Sequence, residues 1–228
     1  TELFDSIEHR GRGPIGVEPV SGLVGWIGVA GGMAAAGQAR MITADMVKPG
    51  ATVIDVGVSR TESGIVGAAF GMAIAGLRPV AEIQFMGFST PAYDQVINHV
   101  SRIRNRSRHR FTCPMVIRIP YGGGFGAAEH HSESWEAIYA HTPGLVVVTP
   151  STPHDAKGLL AAAVASPDPV VFLEPIRLYR AVKEEVPEER YEVPLGTAAI
   201  RRAGTDVSLL TWGAMTKEVR EAATVLAD

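Results

Sequence analysis

Short apolar runs recur along the chain at Ala51-Thr-Val-Ile-Asp-Val-Gly57, Pro79 to Phe85, Met115-Val-Ile-Arg-Ile119, Leu145 to Thr149, Val170 to Leu173 and Val207 to Thr211. Bounded by Gly and Pro and rich in β-branched residues, they read as strands buried on both faces. Between them the period lengthens. Ile65 to Leu77 is small and apolar and closes at Gly76 before Pro79, as a tightly packed helix does. Ala92 to about Arg106 places Val96, Ile97, Val100 and Ile103 at the spacing of one helical face. Trp135 to Ala140, Asp155 to Ala165 and Thr216 to Ala227 read as further helices. Strands alternating with helices predict an α/β domain, three layers around a largely parallel sheet.

The chain is uneven at its start. Residues 1 to about 20 are polar and punctuated by Gly11, Gly13, Pro14, Gly16 and Pro19, which predicts a loosely ordered segment. Glycine then recurs at 22, 25, 28, 31, 32 and 37. A dinucleotide-binding turn needs its glycines between a strand and a helix, and here the preceding strand is poor. Met41 to Gly50 reads as a helical turn closed by Pro49-Gly50. Three parts follow: a glycine-rich segment over 1–50, an α/β domain over 51–195, and a connection over 196–228 leading towards a further domain. The Lys183-Glu-Glu-Val-Pro-Glu-Glu-Arg190 run is charged and broken by proline, an exposed connection.

Composition narrows the function classes. Over 228 residues the net charge is −3, which argues against nucleic acid as a partner. Arg102, Arg104, Arg106, Arg108 and Arg110 alternate, so a helix would scatter them around its axis; they read as a solvated or subunit-facing segment. Cys113 is the single cysteine, which excludes an internal disulfide and a cysteine-built metal cluster and fits a cytoplasmic protein. The most apolar window, Gly22 to Gly37, is too short and glycine-rich for a membrane span.

The densest chemistry lies in Pro120-Tyr-Gly-Gly-Gly-Phe-Gly-Ala-Ala-Glu-His-His-Ser-Glu-Ser134. Three successive glycines after a buried strand allow backbone conformations closed to other residues. The loop then presents His130 and His131 between Glu129 and Glu133, imidazoles that exchange protons near neutral pH. Taken alone, these residues fit either a ligand site beyond the strand ends or a solvated surface loop.

This loop, with Glu62-Ser-Gly-Ile-Val-Gly67, Gly76-Leu-Arg-Pro-Val-Ala-Glu-Ile-Gln-Phe85, Pro91-Ala-Tyr-Asp-Gln95, His141-Thr-Pro-Gly144, Asp155-Ala-Lys-Gly-Leu159 and Phe172-Leu-Glu-Pro175, resembles the β subunit of the thiamin-diphosphate-dependent 2-oxo acid dehydrogenases of pyruvate and branched-chain type. The resemblance covers about 62–228. Residues from about Ala34 to Gly67, with Lys48-Pro-Gly-Ala-Thr-Val-Ile-Asp-Val-Gly57 and Arg60-Thr-Glu-Ser-Gly64, resemble instead methylenetetrahydrofolate dehydrogenase/cyclohydrolase. The chain therefore reads as composite, with a longer spacer between Asp55 and Glu62 than the first family has.

The first resemblance implies a transketolase-like pyrimidine-binding fold with an irregular N-terminal appendage, truncated at both ends, and oxidative decarboxylation of a small 2-oxo acid with acyl transfer to lipoate. It implies thiamin diphosphate as cofactor, Glu62 as the carboxylate against the pyrimidine ring, Phe88 as the stacking aromatic and His131 as the histidine assisting acyl transfer. His130 would orient it, and Glu129 would be a solvated loop residue. Magnesium and the diphosphate would be held by an α subunit, and a lipoyl-bearing acyltransferase would take the acyl group. Backbone carbonyls near Leu145 and Asp168 would hold a structural potassium. Two other readings stand beside it: a non-catalytic chimeric or truncated assembly fragment, and an NADP-dependent folate dehydrogenase, which would need a catalytic lysine and a complete dinucleotide turn that the sequence does not supply.

Overall fold

The computed structural model describes Met33–Ala34, Thr52–Asp55 and residues 64–227. The loose start over 1–20, the helical turn over 41–50 and Glu62 lie outside the described residues, as does the glycine-rich run apart from Met33–Ala34.

In chain order the regular elements are β1 (Met33–Ala34), β2 (Thr52–Asp55), α1 (Gly64–Ile74), β3 (Arg78–Glu82), α2 (Ile103–Arg106), β4 (Val116–Tyr121), α3 (Glu136–Ala140), β5 (Val146–Val148), α4 (Pro153–Ala165), β6 (Val170–Pro175) and α5 (Thr216–Val225). The six strands form one sheet in the order β1-β2-β3-β4-β6-β5, and every pairing is parallel. The sheet thus begins before residue 51, because Met33 and Ala34 pair with Ile54 and Asp55.

Both faces of β3, β4 and β6 are covered, which is why these strands carry continuous apolar runs. On one face Ile117, Ile119, Val171 and Leu173 pack with Val66, Ala69 and Ala73 of α1 and with Val96, Val100 and Tyr139. On the other, Val80, Val116, Val170 and Phe172 meet Ala163, Leu159 and Leu160 of α4. The result is the expected three layers. α1 ends as its sequence predicts: Gly76 takes φ +95, and the amides of Gly76 and Leu77 return to the carbonyls of Ala73 and Met72 at 3.1 and 3.0 Å. α4 begins at Pro153 with Thr152 as cap, its hydroxyl accepting from the Asp155 amide at 3.1 Å.

Two expectations are corrected. The amphipathic helix expected over 92–106 is not one regular helix: a 3-10 turn over Met86–Ala92 passes into a π-helical turn over Gln95–Val100 before α2. The Ser101 hydroxyl and the Arg102 guanidinium both donate to the Ile97 carbonyl, at 2.7 and 2.9 Å. The Ser101 amide reaches one residue further back, to Val96, at 3.0 Å, which widens the turn. Val96 and Val100 still face the core. Nor do Val207 to Thr211 form a strand. Among the described residues no strand pairs with them, and Val207, Leu209 and Leu210 are exposed.

Of the five alternating arginines, Arg104 pairs with Asp168 at 2.6 Å, while Arg102, Arg106, Arg108 and Arg110 are exposed. Among the described residues no helix is long and apolar enough to cross a membrane.

Candidate functional site

β4 delivers the chain from the core into the glycine loop. Gly122, Gly124 and Gly126 take φ +86, +92 and +84, left-handed values that a side chain disfavours. The loop closes on itself: the Gly122 amide donates to the Glu133 carbonyl and the Ser132 hydroxyl to the Ala127 carbonyl, both at 2.8 Å. Between those bonds Glu129–His131 makes a 3-10 turn, with Glu129 itself at φ +42. The turn rests on Gly87. A Cβ there would stand 2.7 Å from the His130 Cα, so only glycine lets the two backbones meet.

His131 is held by aromatic rings. Its imidazole stands edge-on to Phe85 at 4.5 Å between centroids and edge-on to Phe88 at 5.4 Å, the geometry that ring quadrupoles favour. Phe125, from the glycine loop, lies parallel to Phe85 at 6.4 Å. Phe88 and Phe125 keep about two fifths of their surface open, at 41% and 40%, so the cluster offers an apolar wall to a visitor. The structure therefore brings Phe88 and His131 together. His130 is exposed, 6.3 Å from Phe88. Glu129 is exposed as expected, and Glu133 accepts from the Trp135 indole at 2.9 Å.

Beside the aromatic wall is a cleft of about 560 Å³ lined by Phe85, Phe125, Gln84, Ile176 and a charged cluster. Arg118, in the middle of β4, donates to Glu82 of β3 at 3.1 Å and to Glu174 of β6 at 2.6 Å. The Tyr179 hydroxyl donates to the other Glu174 oxygen at 2.6 Å. Burial pushes the Glu82 carboxyl above its ordinary range; Arg118 opposes the shift and Glu174 adds to it. Burial alone would lower Arg118, but the hydrogen bond to Glu174 and the charges of both carboxylates outweigh it and hold the guanidinium firmly protonated. The Tyr179 phenol is raised, first by burial and then by Glu174.

Glu62 lies outside the described residues. Leu145 and Asp168 stand before β5 and β6, at the strand end opposite the glycine loop. The Asp168 carboxylate is engaged by Arg104, and its carbonyl accepts from the Ser166 hydroxyl at 2.9 Å. Sequence reasoning missed Phe85 and Phe125 as partners of His131, and missed the Glu82–Arg118–Glu174 cluster. Its signal was present: one charged residue stands inside each of the apolar runs Val80 to Ile83 and Val116 to Ile119, and Glu174 directly follows the run Val170 to Leu173. A lone charge on a buried strand calls for a partner on the next one.

The model for the transketolase pyrimidine-binding domain matches residues 29–182. The pyruvate dehydrogenase E1 component subunit beta of Acholeplasma laidlawii is 59% identical over 161 residues, 71% of this chain and 49% of that protein. The same-named subunit of Bacillus subtilis is 51% identical over 162 residues, 71% of this chain and 50% of the relative. The 2-oxoisovalerate dehydrogenase subunit beta of Bacillus subtilis is also 51% identical, over 152 residues, 67% and 46% of the two chains. The chain thus spans about half the length of the curated relatives it matches. Among solved structures, a split-gene transketolase described as an inactive beta4 tetramer superposes with a TM-score of 0.59 at 20% identity, covering 76% of this chain and 53% of that one; the likeness is one of fold.

Proposed function

The chain belongs to the transketolase pyrimidine-binding domain family, and from that premise we propose that it forms the β-subunit half-site of a thiamin-diphosphate-dependent 2-oxo acid dehydrogenase, completed by an α subunit. The observation that carries the reading is His131 held edge-on between Phe85 and Phe88, with Phe125 parallel to Phe85 and both Phe85 and Phe125 lining the adjacent cleft. The similarity to pyruvate and 2-oxoisovalerate dehydrogenase β subunits supports the substrate class, a small 2-oxo acid.

The residues fit a flat aromatic cofactor: three half-open or exposed phenylalanines give an apolar seat that fixes a ring plane and excludes water. Thiamin diphosphate, when bound, supplies the carbanion equivalent and electron sink that no side chain offers. Glu62 is the carboxylate assigned to hold a proton against the pyrimidine. Phe88 stacks. His131 would hold or give a proton at its imidazole where the acyl group is passed to the lipoyl arm of an acyltransferase, a role suited to a side chain that both accepts and donates a proton. Magnesium and the diphosphate are assigned to the α subunit, and potassium to carbonyls near Leu145 and Asp168; both rest on the family resemblance, and no step passes through either. A cytoplasmic location, and the division into 51–195 as the binding unit with 196–228 leading to a further domain, belong to the same reading. So does a composite origin of residues 34–67, supported by the folate-enzyme wording of Lys48 to Gly57.

The test is to titrate the purified chain with thiamin diphosphate and magnesium, with and without a cognate α subunit, and then to measure 2-oxo acid decarboxylation. Binding and turnover that depend on the α subunit are expected. A folded assembly of both subunits that binds no thiamin diphosphate would overturn the proposal in favour of a non-catalytic assembly fragment.

A further inference from the structure

Glycines at 122, 123, 124 and 126 leave the backbone freer than other residues would, so contacts from outside the loop are needed if it is to present one imidazole in one place. Arg177, on the 3-10 turn Ile176–Leu178 after β6, lies along it. A Cβ at Gly124 would come 3.2 Å from the Arg177 Cδ and 3.6 Å from its Nε, so the arginine stem packs directly on the glycine backbone. The guanidinium end leaves the loop and meets α5, where its Nη2 stands 2.6 Å from the Glu218 Oε1.

The N-terminal end of α5 is itself docked on the carboxyl ends of the central strands. Gly213, at φ +54, sits where a Cβ would be 2.5 Å from the Tyr121 hydroxyl and 3.2 Å from the Pro175 Cγ. The Thr216 hydroxyl donates to that of Ser151 at 3.0 Å. The second oxygen of Glu218, Oε2, is buried with no partner among the described residues, so within them Arg177 supplies the compensation this carboxylate has. Within the loop, the bonds from Gly122 to Glu133 and from Ser132 to Ala127 tie the stretch around His131 back onto the glycine run, where Arg177 packs against Gly124.

We propose that Arg177, clamped by Glu218, is the positioning residue that fixes the glycine loop and, through it, His131, so that α5 and the imidazole form one mechanical unit. Its effect on turnover rests on the acyl-transfer role proposed above for His131; its effect on the loop does not.

The experiment has two arms. In the full chain, amide hydrogen exchange over 122–134 is followed by mass spectrometry for the wild type, Arg177→Met, Glu218→Gln and the charge-swapped double variant Arg177→Glu with Glu218→Arg. Exchange in the loop should rise about tenfold in each single variant and return to within about twofold of wild type in the swap, while α1 and β4 keep their protection. Unchanged loop exchange in both single variants, a swap as fast as the singles, or a uniform loss of protection across the sheet would each overturn the proposal. In the assembly with the α subunit, Arg177→Met should lower kcat for acyl transfer to a lipoyl domain about tenfold with little change in KM, and Arg177→Lys should recover part of it. A rise in KM alone would contradict a positioning role. Wild-type chain without turnover would count against the acyl-transfer reading and leave the exchange arm to decide the brace.

Discussion

The backbone of Gly87 lies against that of His130 so closely that a methyl group on the glycine would overlap the histidine carbonyl. The segment after β3 and the glycine loop after β4 are therefore locked at one point, and that point is the residue before His131. Gly87→Ala should cost about 1–3 kcal/mol by overpacking and displace His131 from its place between Phe85 and Phe88. Denaturant unfolding measures the first effect. The second would be seen as a fall in acyl transfer larger than any fall in thiamin diphosphate affinity. A stable, fully active variant would show that the two segments separate freely.

Glu62 and His131 are assigned to different stages and should separate in assays. Glu62→Ala should abolish thiamin-dependent decarboxylation by the assembly while the chain still folds. His131→Ala should slow acyl transfer to the lipoyl arm by about 10²–10⁴-fold, far more than it slows decarboxylation followed with an artificial electron acceptor. Equal losses in the two assays would remove the assignment of His131 to the second stage.

The Glu82 carboxyl makes stability depend on pH. Its folded-state pKa lies above the ordinary 4.5 because burial outweighs the pull of Arg118. Its favourable contribution is thus complete when the carboxyl is protonated in both states, below that value, and is lost as pH rises through the raised folded value. Glu82→Gln mimics the neutral carboxyl. Thermal melts from about pH 4 to about pH 8 should show the variant gaining on the wild type as pH rises. A difference in Tm that does not move with pH would count against a raised Glu82.

Cys113 is 1% exposed, and burial, helped by the Asp168 charge, pushes its thiol up to about 12. Near pH 8 a disulfide reagent should label the native chain at least about a hundredfold more slowly than the denatured chain. Rapid native labelling would mean that the entry to β4 opens readily.

The central sheet was legible in the sequence because a strand buried on both faces leaves a continuous apolar run, as Val116 to Ile119 and Val170 to Leu173 do. The α1 terminus and the α4 cap were legible for the same kind of reason: Gly76, Thr152 and Pro153 act locally. What failed was non-local. Val207 to Thr211 has strand composition, but a strand exists only with a partner beside it. The widened turn at Gln95–Val100 depends on which donor reaches the Ile97 carbonyl, a contest that periodicity does not register. In the site, family wording pointed to Phe88 and His131, whereas the contact of Phe85 with His131 and the tie from Arg118 to Glu174, 56 positions away, required the folded sheet.

The strand order also governs how the chain can be made. β5 precedes β6 in the sequence, yet its partner in the sheet is β6, which alone joins it to β4. During synthesis the Val146-Val-Val148 segment leaves the ribosome first and waits for about twenty more residues, some 1–4 s at ordinary elongation rates of about 5–20 residues per second. For that interval β5 lacks the neighbour it pairs with in the finished sheet, and the edge of β4 that β6 will occupy stays open until β6 inserts between them.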